Sequence, residues 1–185
     1  MNEVSVVVLG TILGFLLSSL GNYFNENRHR QQQIQAVRAI VRFELGWNRQ
    51  QLQELMVRLN PKQAPMEDPS QKRYLAESLV NQTGLKFSRE MFQSQLNYMS
   101  IALSEKEIST VFTLFDRYTQ LEQIQKTLRQ YQEEERLAYS NYQLPTVGSP
   151  QRLQPARPFS EHAVDLWNEY DAIARPLLQQ GPPLK

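Results

Sequence analysis

Apolar side chains recur at helical spacing along most of this chain. Ile34, Val37, Val41, Leu45, Leu52, Leu55, Met56 and Leu59 lie three or four residues apart, interrupted by one polar step at Asn48. This pattern predicts a long amphipathic helix from about residue 25 to 59, closed by Pro61 and Pro65. A polar connection follows to Pro69. A short helix over 70–81 then carries Tyr74, Leu75, Leu79 and Val80, and Thr83-Gly84 is its expected stop. Another short helical stretch begins near Ser88 and holds Met91, Phe92, Leu96 and Met99. Ser104-Glu105-Lys106-Glu107 has the spacing of a capping box, and Leu103 is placed to touch Ile108 across it. The helix it opens carries Ile108, Val111, Phe112, Phe115, Tyr118, Leu121, Ile124, Leu128 and Tyr131, with no Gly or Pro before Pro145. Two long helices joined by smaller elements predict an antiparallel hairpin, because neither apolar stripe is stable in water.

The first two dozen residues differ in kind. No charge lies between Glu3 and Glu26, and Val4 to Tyr23 supplies twenty residues, about the length a bilayer core requires of a helix. A cleaved signal peptide fits less well, since Met1-Asn2-Glu3 carries no basic residue. The expected fold class is therefore all-α, with a single N-terminal transmembrane helix continuing into a long helical hairpin with short accessory helices. The expected units are an anchor over 1–24, a cytoplasmic helical hairpin or bundle over 25–144, a Pro-rich linker over 145–159, an amphipathic helix over 160–176 and a tail over 177–185. Arg28 and Arg30 follow the span closely, so the C-terminal part is expected on the cytoplasmic side of a bacterial inner membrane or thylakoid. Tyr23 and Phe24 would sit at the headgroups. Gly10, Gly14, Ser18 and Gly21 line one face with small side chains, which suits close packing against another membrane helix.

Beyond the linker, Val164, Trp167, Tyr170 and Ile173 share one side of the last helix. That helix is either a strap on its own hairpin or a docking element for another protein. The strap is favoured, because Trp167 and Tyr170 in a loose tail would expose a large apolar area. A helix with Phe43-Glu44-Leu45 and Asn48, then Phe92, Leu103-Ser104-Glu105-Lys106-Glu107-Ile108 and Phe115-Asp116-Arg117-Tyr118 with Leu121, resembles small bacterial membrane-anchored helical proteins over roughly residues 5 to 125. The likeness implies the architecture and no catalytic chemistry.

Composition narrows the chemistry. The 185 residues contain no cysteine, which removes disulfides, thiolate metal sites and thiol nucleophiles. A net charge of +1 gives no field to draw nucleic acid. Only His29 and His162 are present. Glu26-Asn27-Arg28-His29 has Glu-x-x-His spacing, but a di-iron bundle needs that element twice, and no second copy exists. No Gly-rich phosphate loop precedes a helix. No catalytic residue, metal or cofactor is therefore expected, and no small-molecule substrate is inferred. Glu44 and Asn48 stand one turn apart beside the apolar stripe. They are read as an interhelix polar pair, with Arg42, Arg117 or Tyr118 as partners across the hairpin. The 22 glutamines suit a protein-binding surface as well as plain solvent. The expected role is a non-catalytic accessory or scaffold subunit of a larger membrane assembly, and the alternatives are a homo-oligomeric membrane organiser or, third, an enzyme of unrecognised type. The expected partners are other membrane protein subunits or a second copy, and weakly the anionic headgroups near Arg28 and Arg30.

Overall fold

A computed structural model describes residues 3–59, 68–82, 86–143 and 157–180, with the side chains of 3–13, 16 and 141–143 outside the description. Six helices and no strand form among the described residues: α1 (Glu3–Leu59), α2 (Pro69–Asn81), α3 (Glu90–Ser94), α4 (Leu96–Ala102), α5 (Glu105–Gln143) and α6 (Pro158–Gln179). Local chemistry explains several of their ends. Asp68 accepts the Ser70 N–H at 2.9 Å and Pro69 opens α2 with its φ already set. Ser104 starts α5: its N–H and hydroxyl both donate to Glu107 Oε2, at 2.8 and 2.9 Å, and its Oγ accepts the Glu107 N–H at 3.4 Å. α6 begins at Pro158 and runs past Pro176 to Gln179, three residues beyond the stop expected at 176. A proline this close to a helix end costs one hydrogen bond, and the buried Leu177 holds the last turn in place.

The Ser104 hydrogen bonds, aided by Arg38 and Arg42, hold the Glu107 carboxyl below its ordinary value of 4.5. A carboxylate whose folded pKa is depressed contributes stability above its unfolded pKa and loses it as pH falls through the folded one. Glu107→Gln is therefore expected to destabilise the protein at neutral pH and to converge on wild type as pH drops below 4.5. Urea denaturation of both proteins across that window measures it; a constant difference down to the most acidic pH would disprove the assignment.

Side-chain pairings set the directions of the helices. Arg38 meets Glu107 at 3.1 Å, and Arg49, eleven residues on, is close enough to Tyr118 to act on its phenol, which burial pushes up to about 12. Both partners advance together, so α1 and α5 run parallel. α4 runs back against α1, since Glu44 holds Phe92 just before it and Arg38 bonds Ala102 at its end. α6 runs back along α5, from Ser160 beside Glu135 to Leu178 beside Arg49. α1 and α5 thus run one way, and α3–α4 and α6 run back. The antiparallel hairpin of the two long helices is corrected accordingly. The physical reason is that the connection between them is itself helical and carries apolar faces of its own, so it returns through the bundle as a column. α6 packs most extensively on α5 and α2, whereas α1 and α5 touch little. One core joins all six helices, from Val37, Val41 and Leu52 through Leu79 and Phe92 to Leu121, Leu128 and Trp167.

Among the α1 residues whose side chains are described, Ile34 is the first that packs against this core. The α1 residues before it form an arm of about 46 Å at 1.5 Å per residue. The single-pass anchor expected over 1–24 is corrected here: among the described residues, no helix is long and apolar enough to cross a membrane. Asn25 to Arg30, which follows directly, is polar. The orientation deduced from Arg28 and Arg30, the membrane localisation and the membrane-subunit role lose their basis with it.

Candidate functional site

The bundle interior contains a polar layer built from α1, the segment 86–92 and α5. Glu44 and Asn48 lie on the core-facing side of α1 and are both 0% exposed. α3 has no capping side chain of its own, because Arg89 occupies the cap position and makes no such bond. Glu44 supplies the cap from another helix. Its carboxylate accepts the Met91 N–H at 3.1 Å, the Phe92 N–H at 2.6 Å and the Ser88 hydroxyl at 2.7 Å. Those two N–H groups are the ones a local cap residue would normally satisfy. Asn48 copies a peptide group: its Nδ2 donates to the Ser88 carbonyl at 2.7 Å and its Oδ1 accepts the Ser88 N–H at 2.8 Å. From α5, Glu122 accepts the Phe87 N–H at 2.6 Å and an Arg89 N–H at 2.9 Å, while Thr119 accepts another from Arg89 at 3.1 Å. The segment is held on both sides. Arg117 and Tyr118, expected as partners across a hairpin, bond neither Glu44 nor Asn48.

The same device recurs around the bundle. Glu135 of α5 accepts the Ser160 N–H at 2.9 Å and its hydroxyl at 2.8 Å in the first turn of α6. At the opposite ends, Arg38 donates to Ala102 O at the close of α4, and Arg49 donates to Leu178 O near the close of α6. Arg129 and Gln125 donate to Gln82 O and Leu79 O at the close of α2. Carboxylates from the long helices sit at the starts of the shorter ones, and guanidinium groups sit at their ends. That is the arrangement the helix dipole favours. Sequence spacing does not reveal it, because the partners lie 25 to 129 residues apart.

A cleft of about 340 Å³ opens beside the layer, lined by Lys86, Phe87, Ser88, Arg89, Glu90, Gln93 and Glu122. Its charges already pair with one another, Lys86 with Glu90 at 3.7 Å and Arg89 with Glu122. Among the described residues, no group of three His, Cys, Asp or Glu is placed to hold a metal ion. His162 lies against the Tyr131 ring with centroids 5.1 Å apart, and His29 is exposed on the arm.

The other residues singled out from sequence are dispersed. Gly14, Ser18 and Gly21 are exposed, and a Cβ added at either glycine would meet nothing within 4 Å. The Gly10 side of the stripe lies outside the described residues. Tyr23 and Phe24 are exposed with their rings edge to face, and Arg28 and Arg30 are exposed beyond them. On α6, Trp167 and Tyr170 are buried with stacked rings 5.9 Å apart, and Val164 and Ile173 are half-buried.

Tyr170 carries the one anomaly of that face. It is fully buried and its hydroxyl has no hydrogen-bond partner. Burial alone pushes its pKa upward, so it stays neutral. A buried unpaired hydroxyl costs about 1–3 kcal/mol, and Tyr170→Phe keeps the ring. The variant is expected to melt at a higher temperature than wild type; a clear fall would show that the hydroxyl is bonded in solution.

Fold and layer together define the class: an all-α bundle of six helices among the described residues, in which side chains of the two long helices close ends of the others. No protein-family model, no curated protein and no solved structure matches this chain.

Proposed function

We propose that this chain acts by binding a partner protein, without catalysis, and that the arm of α1 is its contact element. The observation that carries the reading is the exposure of Phe15, Leu17, Leu20, Tyr23 and Phe24, at 51–72%, on a helix that no other described element covers. A lone helix this apolar is unfavourable in water, since helices draw most of their stability from packing, and exposed apolar surface of this extent marks an interaction site. The non-catalytic half of the reading is supported by the polar layer. Its carboxylates are occupied by backbone N–H groups and a guanidinium, which leaves them committed to holding helix ends.

The absence of cysteine allows a direct test. Leu17→Cys and Gln33→Cys place one thiol each on the arm, the first on its apolar part and the second on its polar base. In fresh cell extract the Leu17→Cys thiol is expected to react with a maleimide much more slowly than the Gln33→Cys thiol, until urea equalises them. Equal rates without urea would mean that the arm is bare and would defeat the reading. Protection that a mild detergent abolishes while the chain sediments alone would assign the cover to lipid and overturn the protein contact.

A further inference from the structure

We draw no further inference here: the strongest candidate, the exposed apolar patch of Phe43 and Trp47 on the outer side of α1, faces open solvent, and nothing in the structure shows what covers it.

Discussion

Glu44→Ala is expected to remove roughly 1–4 kcal/mol of stability, because it orphans the buried Phe92 N–H, at about 1–3 kcal/mol, together with the more exposed Met91 N–H. The donors belong to Met91 and Phe92 at the start of α3, which has no cap residue of its own to replace the lost carboxylate. Two effects reduce the loss: a carboxylate no longer has to be kept out of water, and solvent enters the space it leaves. Glu44→Gln should fall between wild type and alanine. One amide oxygen still accepts, but the amide N–H₂ turns donors toward donors. Because single domains have only about 5–15 kcal/mol of net stability, the alanine variant should unfold at a visibly lower urea concentration. Hydrogen exchange should quicken first over α3 and α4, the column that Glu44 holds to α1. A variant with wild-type urea midpoint and wild-type exchange there would show that the layer is not what fixes this column.

Trp167→Ala is expected to cost about 3–5 kcal/mol, the usual range for truncating a buried large aromatic. The indole is 3% exposed, stacks on Tyr170 and belongs to the core formed by α2, α5 and α6. For a chain of this size each kcal/mol lowers the melting temperature by about 2–4 °C, so the shift should be at least 6 °C or so. A loss confined to partner recovery, with melting unchanged, would instead make α6 a docking element. The geometry favours the strap: Glu135 holds the first turn, Arg49 holds the last, and six buried side chains from Phe159 to Leu177 lie between. The outcome separates the roles cleanly, because the strap acts on stability of the isolated chain and a docking helix does not.

Local order was readable in the residues themselves. A helix repeats every 3.6 residues and its capping bonds span three or four, so the stripe from Ile34 to Leu59, the box at Ser104–Glu107 and the face of Val164, Trp167, Tyr170 and Ile173 all appear within short windows. The same windows place Glu44 and Asn48 beside the apolar stripe as a polar pair awaiting a partner. They do not identify that partner. Ser88, Met91 and Phe92 lie 40 to 48 residues away, and two of the bonds to Glu44 go to backbone groups that every residue carries. No residue type signals a backbone N–H, so chain order alone cannot point to it.

The direction of α5 relative to α1 is the larger case. Periodicity establishes that each helix has an apolar face, and it contains no information about which way the other runs. Parallel alignment arises only when the intervening helices are given volume of their own and α3 and α4 make the return along α1. Only with the columns in place do Arg38, Arg49 and Arg129 reach helix ends, and Glu44 and Glu135 helix starts. The sequence by itself determined the helices and the faces they bury, because those depend on neighbours a few residues apart. The order of the columns, their directions and the groups that close their ends were decided by tertiary structure, because each is a contact between residues the chain keeps far apart.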